Sequence, residues 1–270
     1  MIEKCQPWSE VTDEQLAHVC GVCLDIDETL STHGKLTGPA FQALWDLYQA
    51  GFGVVPVTGR PAGWCDHIAR FWPVHAVVGE NGAFIFYMED GVRKRMDTPK
   101  GESMQEIRKK MAILDREIRK AFPQARYASD QAYRECDLAI DFCEDVPPWP
   151  QDEVERLLAF CQKAGAHAKL SSIHVNTWFG DFDKLKGLGA WFAAGSPGLD
   201  LESAPKEHWL FIGDSPNDEP IFSKFDDSVG VANIRPFLNR LKHPPRWITQ
   251  AESGHGFVEM ARRLIQTRKK

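Results

Sequence analysis

Short apolar runs alternate along this chain with amphipathic segments, and the alternation predicts strands and helices in turn. The run from Val22 to Leu24 is followed by Phe41, Leu44 and Tyr48, which share one helical face, and then by the run from Phe52 to Val57. Because a helix separates the two runs, the two strands are predicted to lie parallel. The chain is therefore expected to begin with a strand–helix–strand unit.

A lead-in at residues 1–18, with a possible helix start, precedes the first strand. The same alternation of strands and helices returns in the last third of the chain. This repetition predicts an α/β fold with a doubly wound parallel, Rossmann-like sheet. The predicted strands of the sheet are 21–26, 52–57, 74–78, 208–212, 227–232 and 247–249, and its predicted helices are 39–50, 62–71, 184–194, 235–241 and 256–267.

The middle of the chain departs from this rhythm. It contains a predicted hairpin around the Glu89-Asp90-Gly91 turn, helices at 102–122 and 151–164, and strands at 125–128, 137–142, 166–170 and 172–178. We predict a discontinuous core domain formed by residues 1–84 and 179–270. The inserted residues 85–178 are expected to form a small α+β cap over the sheet.

Composition narrows the functional classes. The chain of 270 residues has a net charge of −6, which gives no reason to expect nucleic acid or an anionic membrane as a partner. No apolar run approaches the ~20 residues of a membrane span, the first residues lack the apolar core of a secretory signal, and the seven cysteines are scattered. A cytoplasmic protein is expected, and Cys20 and Cys23 are interpreted as strand residues rather than a redox pair.

Polar clusters follow the predicted strands or begin a helix of the core. Asp25 and Asp27 are spaced i, i+2, so an extended chain directs both carboxylates to the same side. Ligand sites in parallel sheets lie beyond the carboxyl ends of strands, where four clusters could converge. Four carboxylates and a lysine suggest Mg²⁺, and a hydroxyl with backbone amides suits phosphate oxygens. The clusters are Asp25-x-Asp27, Thr58-Gly59-Arg60, Lys184 and Gly213-Asp214-x-x-Asn217-Asp218.

The order of these clusters resembles the haloacid dehalogenase-like superfamily of phosphohydrolases. The inserted cap and the phrase Gly79-Glu80-Asn81-Gly82-Ala83 are similar to its subclass IIB, which contains Cof-type and other sugar phosphatases. The resemblance covers about residues 20–265. It implies a Mg²⁺-dependent phosphatase that acts on a small phosphorylated metabolite, with a sugar phosphate as the expected substrate.

The resemblance also implies individual roles. Asp25 would be the nucleophile that forms an aspartyl phosphate, and Asp27 would be the general acid and base. Lys184 would neutralise the nucleophile and the transferring group. The remaining implied residues are metal ligands at Asp25, the carbonyl of Asp27, Asp214 and Asp218, and phosphate or substrate contacts at Thr58, Gly59, Arg60, Asn81 and Asn217.

The cap is expected to choose the substrate. Its polar strand residues are the candidates, and the alternation of its last strand places Ser172, His174 and Asn176 on one face. A solvent-facing side of the cap sheet is the alternative interpretation of this pattern. The other cap candidates are Arg126, Asp130 and Arg134.

Several alternatives stay open at this level. Lys186 precedes a glycine and competes with Lys184 for the catalytic position, and Glu28 stands where the resembled family usually has glycine. The pair Asp183-Lys184 resembles phosphomannomutase, so a sugar phosphomutase is a second functional hypothesis. A catalytically silent binding protein of the same fold is a third. The oligomeric state is undetermined.

Overall fold

A parallel sheet forms the centre of the computed structural model, which describes residues 5–171, 173–199 and 208–269. Six strands lie in the order β1-β13-β12-β11-β2-β3, and every neighbouring pair is parallel. The strands of this sheet are β1 (Gln6–Pro7), β2 (Gly21–Leu24), β3 (Gly53–Pro56), β11 (Trp209–Gly213), β12 (Asp227–Gly230) and β13 (Trp247–Ile248). The fold class predicted from the sequence is confirmed.

Helices cover both faces of this sheet, which explains why its strands are apolar on both sides. One layer contains α2 and α8, and the opposite layer contains α6 and α7. The helices are α1 (Asp13–Leu16), α2 (Gly38–Gln49), α3 (Ala62–Phe71), α4 (Met104–Ala121), α5 (Gln151–Lys163), α6 (Lys184–Ala193), α7 (Glu219–Phe222) and α8 (Ser253–Gln266). No helix in the described ranges has the length and apolarity needed to cross a membrane.

Two expectations about the core were inaccurate. The lead-in contributes an edge strand, β1, which is only two residues long and therefore too short to show a periodic pattern. The segment predicted as a helix at 235–241 is a 3-10 helix, Ala232–Arg240, that contains Pro236. Proline lacks the N–H that continued α-helical bonding would require.

The hairpin of the middle segment pairs with the strand that precedes it in the chain. Strand β4 (Ala76–Gly79) lies beside β3 through a bridge between Val57 and Val78, and it pairs antiparallel with β5 (Phe84–Glu89). Strand β5 in turn pairs with β6 (Val92–Asp97). The division of the chain into domains remains a proposal, in which these pairings favour placing the hairpin with the core.

The rest of the inserted segment forms a separate layer, the cap. Its antiparallel sheet has the order β7-β8-β10-β9, and α4 and α5 pack on one of its faces. Its opposite face lies against the loops at the carboxyl ends of β3 and β4, which brings cap side chains to the core. The strands are β7 (Arg126–Tyr127), β8 (Asp137–Asp141), β9 (His167–Leu170) and β10 (His174–Trp178).

Candidate active site

The two aspartates that follow β2 lie at the centre of the candidate site. The amide of Asp25 donates to the carbonyl of Ile212 in β11 at 3.0 Å, so the sheet ladder fixes the start of this loop. The side chain of Asp25 is buried, whereas that of Asp27 is 25% exposed. The strand end thus provides one carboxylate shielded from water and one that remains accessible.

Glu28 lies beside these aspartates but does not enter the site. Its φ is +54°, in the left-handed region that glycine adopts most easily. Its carboxylate accepts hydrogen bonds from the amide of Gly34 at 3.2 Å and from the hydroxyl of Ser253 at 3.1 Å. The structure therefore directs this carboxylate away from the aspartates, and it does not crowd them.

Lys184, at the start of α6, joins the aspartates of two loops. Its Nζ lies 3.0 Å from Oδ1 of Asp25 and 3.0 Å from Oδ1 of Asp218. Carboxylate oxygens of Asp25, Asp214 and Asp218 lie within 4.8 Å of one another. We call Asp25, Asp214, Asp218 and Lys184 the acidic cluster. Lys186, the competing lysine, is 46% exposed and pairs with Asp181, so the structure brings Lys184 and not Lys186 to this cluster.

The loop after β11 holds the two later aspartates in place. Oδ2 of Asp218 accepts the amides of Asp214 and Ser215 at 3.1 and 3.3 Å, and Asp218 is fully buried. A second clamp comes from Asn233, whose Nδ2 lies 3.4 Å from Oδ2 of Asp214 and 3.1 Å from the carbonyl oxygen of Glu28. These hydrogen bonds fix the orientation of the carboxylates of Asp214 and Asp218.

The electrostatics of the acidic cluster show an excess of negative charge. Burial raises the pKa of Asp25 to about 7, against the opposing effect of Lys184, and the neighbouring carboxylates add to the rise. Burial and the same carboxylates raise the pKa of Asp214 well above its ordinary value. Burial would lower the pKa of Lys184, but the carboxylates outweigh it and raise this pKa. Three carboxylates face one ammonium group, so this donor set of carboxylate oxygens fits a divalent cation such as Mg²⁺.

Arg60 holds the second aspartate. Its Nη2 lies 2.7 Å from Oδ1 of Asp27, and its Nε lies 3.1 Å from both carboxylate oxygens. The guanidinium packs over the ring of Trp64, 4.5 Å from its centroid. Burial would lower the pKa of Arg60, but Asp27 and the nearby cap carboxylates raise it. Arg60 also borders the cavity between the cap and the aspartates, and its nearest partner is Asp27.

The loop after β3 provides a hydroxyl and a glycine close to the cluster. Thr58 is fully buried, and its Oγ1 accepts the amide of Arg60 at 3.0 Å. Gly59 lies directly against Asn81 and Asn176. A Cβ at this position would come within 3.1 Å of Oδ1 of Asn81 and 3.3 Å of Nδ2 of Asn176. The carbonyl of Gly59 accepts a hydrogen bond from Arg134 of the cap at 2.9 Å. Core and cap therefore both shape this loop.

The cap encloses the site with polar side chains. A small cavity of about 30 Å³ separates it from the aspartates. His174 and Asn176, predicted from the alternation of β10, are buried and border this cavity, as does Asn217. Arg126 lies elsewhere and donates to the carbonyls of Pro123 and Ala125. Ser172 lies outside the described residues.

The sequence did not predict a buried hydrogen-bond network around Asp137, at the junction of cap and core. Asp137 accepts hydrogen bonds from Asn81 and Asn176 at 3.2 Å each, and Arg134 lies 3.0 Å from it. Glu144, also missed, pairs with His174 at 2.9 Å and approaches Arg60 at 3.5 Å. No local pattern marks these two carboxylates, because all of these partners except Arg134 lie on distant parts of the chain.

This fold and site together define an α/β enzyme whose aspartates lie beyond the strand ends of a doubly wound sheet, beneath a cap. Residues 22–120 match the sequence model of the haloacid dehalogenase-like hydrolases. This match agrees with the resemblance that the order of the motifs indicates. No curated protein matches the chain in a comparison of sequences.

Solved structures with the same fold cover nearly the whole chain. A trehalose-6-phosphate phosphatase C-terminal domain from C. albicans has a TM-score of 0.69 at 11% identity, and the match covers 97% of this chain and 98% of that one. A HAD/COF-like hydrolase from Plasmodium vivax has a TM-score of 0.68 at 15% identity, covering 95% and 98%. The sucrose-phosphatase of Synechocystis sp. PCC6803 has a TM-score of 0.61 at 15% identity, covering 91% and 98%. At these identities the likeness establishes the fold.

Proposed function

We propose that this protein is a Mg²⁺-dependent phosphatase that hydrolyses a small phosphomonoester, with a sugar phosphate as substrate, through an aspartyl phosphate on Asp25. The observation that carries the proposal is the position of Lys184, which bridges Asp25 and Asp218 at 3.0 Å each. A cation between a nucleophile and a metal-binding carboxylate suits the transfer of a phosphoryl group, whose charge must be neutralised as it moves.

The chemistry follows from the residues in two steps. Asp25 attacks phosphorus, the ester bond to the alcohol oxygen breaks, and Asp27 gives its proton to that oxygen. Asp27 then takes a proton from a water molecule, whose oxygen attacks the phosphorus of the aspartyl phosphate and releases Asp25. The amide of Gly59 and the hydroxyl of Thr58 would hold phosphate oxygens, while Lys184 offsets the charge on Asp25.

A metal ion would be held by Asp25, Asp214 and Asp218 and the carbonyl of Asp27. The carboxylates fit such an ion because their oxygens lie within 4.8 Å of one another and outnumber the single lysine beside them. Bound Mg²⁺ would supply positive charge to the phosphoryl oxygens. Asn233 and the amides of Asp214 and Ser215 would keep these ligands in orientation.

The proposed substrate class rests on the walls of the cavity. The groups that border it on the cap side are polar except for Ile173, and they include His174, Asn176 and Arg134, which suits a hydroxylated leaving group better than an apolar one. Two structures with the same fold are named as phosphatases of sucrose phosphate and trehalose 6-phosphate. The cap would have to move to admit such a substrate to this small cavity and then return over it.

The proposal is tested by replacing the nucleophile. Asp25→Asn is expected to abolish hydrolysis of p-nitrophenyl phosphate in the presence of Mg²⁺ while the thermal unfolding transition is retained. The exposed Asp226→Asn is the matched control and should keep full activity. Activity retained by the Asp25 variant would contradict the proposal. In a panel of sugar phosphates, release of inorganic phosphate supports a phosphatase, and isomerised ester without release supports a mutase.

A further inference from the structure

Three buried polar atoms beside the site have no hydrogen-bond partner within the described parts of the chain: Oδ2 of Asp130, Nε2 of His174 and Oδ1 of Asn176. The first two lie within ion-pair distance of Arg60 and Glu144, whereas Oδ1 of Asn176, on a residue that is only 4% exposed, has no such contact among the described residues. Burying an amide oxygen without a donor is unfavourable, so such an atom in a native structure calls for a partner such as a water molecule or a ligand. Asn176 borders the cavity between the cap and the aspartates.

The orientation of this amide is fixed by its neighbours. Nδ2 of Asn176 donates to Oδ2 of Asp137 at 3.2 Å, and Asp137 is held by Arg134 at 3.0 Å. Rotating the amide by half a turn would place two oxygens against each other, which the carboxylate of Asp137 disfavours. Oδ1 is therefore directed away from Asp137 and offers a fixed acceptor.

The position of the acceptor limits what it can bind. Asn176 lies directly against Gly59, the loop proposed to hold phosphate oxygens. A fully ionised phosphate carries no proton to donate, so Oδ1 is suited to a donor on the leaving group rather than to the phosphate itself. That donor must lie close to the ester, because the acceptor belongs to the same amide as Nδ2 of Asn176, which lies against the phosphate-binding loop.

We infer that the substrate is the phosphate ester of an alcohol with a second hydroxyl close to the ester oxygen, and that Asn176 Oδ1 accepts a hydrogen bond from that hydroxyl. The inference rests on the proposed phosphatase function and narrows its substrate to polyol and sugar phosphates of this kind. Asn176 thereby becomes a specificity-determining residue, and Asp137 is the positioning residue that sets its amide.

The test compares esters that differ only in the donor. 2-Hydroxyethyl phosphate and propyl phosphate have nearly the same size, and 2-fluoroethyl phosphate is smaller, polar and lacks the donor. The kcat/KM for phosphate release with Mg²⁺ is expected to be at least about tenfold higher for the hydroxyl ester than for either analogue, because only that ester satisfies the buried acceptor.

Variants of Asn176 test whether the preference for the hydroxyl ester depends on its Oδ1. Asn176→Ala and Asn176→Ser are expected to reduce the preference several-fold, mainly by lowering kcat/KM for the hydroxyl ester. Thr177→Val is the control, because Thr177 lies on the opposite face of β10 and its hydroxyl donates to the carbonyl of His167 at 2.9 Å. Its preference should equal that of the unmodified protein.

Each possible result decides the inference. Equal kcat/KM for the three esters in the unmodified protein would overturn it, even if both Asn176 variants failed to fold, and would leave the phosphatase function standing. A preference that persists in the folded Asn176 variants would also overturn it. Absence of phosphate release from every ester and sugar phosphate would overturn the proposed function and this inference together.

Discussion

At the level of single residues, the salt bridge between Arg60 and Asp27 has the most direct consequence for the proposed chemistry. A guanidinium that meets both carboxylate oxygens fixes the carboxylate in one plane, which a lysine cannot do. The same guanidinium lies 3.6 Å from Asp130 and 3.5 Å from Glu144 of the cap. Arg60 therefore connects the proposed acid–base residue to the part of the molecule that covers it.

Replacing Arg60 with lysine tests this positioning role. Arg60→Lys is expected to lower kcat at least about tenfold for an alkyl phosphate, whose leaving oxygen must be protonated by a well-oriented Asp27. The loss should be smaller for p-nitrophenyl phosphate, whose leaving group needs no proton. The surface variant Arg70→Lys is the control. Equal losses for the two esters would instead indicate that Arg60 acts on the phosphate.

Single residues differ in how far the sequence could predict them. Asp25, Asp214 and Asp218 follow strand ends, so the topology that brings those ends together also brings their carboxylates together. Asp137 and Glu144 belong to the cap, and their contacts with the core depend on how the two layers pack. Neither spacing nor periodicity encodes that packing, which is why both residues were missed.

At the scale of elements, the turn between β4 and β5 sets the position of α6. Gly82 has a φ of +101°, and a Cβ at this position would overlap the carbonyl oxygen of Asp183, immediately before Lys184. Asn81 in the same turn has a φ of +56° and donates from its side chain to Asp137. One turn thus holds the start of α6 on one side and the cap on the other.

Two glycine-to-alanine substitutions distinguish the stability lost through steric overlap from the stability lost through a positive φ alone. Gly82→Ala is expected to lower the free energy of unfolding by roughly 2–4 kcal/mol and to reduce kcat by displacing Lys184. Gly91→Ala, in the β5–β6 hairpin, also has a positive φ, +72°, but a Cβ there would meet nothing within 4 Å, so a loss of only about 1 kcal/mol is expected. Denaturant unfolding measures both, and equal losses would contradict the role assigned to the close contact.

Element boundaries followed from periodicity wherever segments were long. The amphipathic helices α2, α3 and α5 and the hairpin of β5 and β6 lie where the sequence predicted them. Strand β1 was not predicted because two residues are too few to show a periodic pattern. It also pairs with β13, which lies near the other end of the chain. Sequence order does not reveal that β5 pairs with β4, so periodicity alone cannot relate the hairpin to the strand that precedes it.

For the molecule as a whole, Glu80 joins the core to the cap. Its carboxylate accepts the amide of Ala62 at the start of α3 and the amides of Glu135 and Cys136 in the cap, at 2.9, 2.9 and 2.5 Å. The residue is fully buried. Burial, assisted by Asp137, raises the pKa of Glu80 to about 7, although the amides oppose the rise.

This pKa predicts how the stability of the cap–core junction depends on pH. A folded-state pKa above the ordinary value of 4.5 means that the folded protein binds the proton more tightly than the unfolded chain. The stabilising contribution is therefore full below pH 4.5 and lost as pH rises through 7. The unfolding free energy of the unmodified protein, minus that of Glu80→Gln, should fall by on the order of 2–3 kcal/mol across this window.

Chemical unfolding of both proteins at several pH values measures the difference. The exposed Glu89→Gln in the hairpin is the control, and its difference from the unmodified protein should change little over the same range. A difference for Glu80→Gln that is constant with pH, or that grows as pH rises, would contradict the raised pKa.

Trapping the phosphorylated enzyme is the most direct test of Asp25 as the nucleophile. The protein is mixed with Mg²⁺ and a rapidly reacting phosphomonoester, quenched in acid within the first turnover, digested and analysed by mass spectrometry. We expect a phosphoryl group on the peptide that contains Asp25, removed by hydroxylamine and absent in Asp25→Asn. A first-turnover release of phosphate with no phosphoryl group on that peptide, or with the group on another residue, would contradict it.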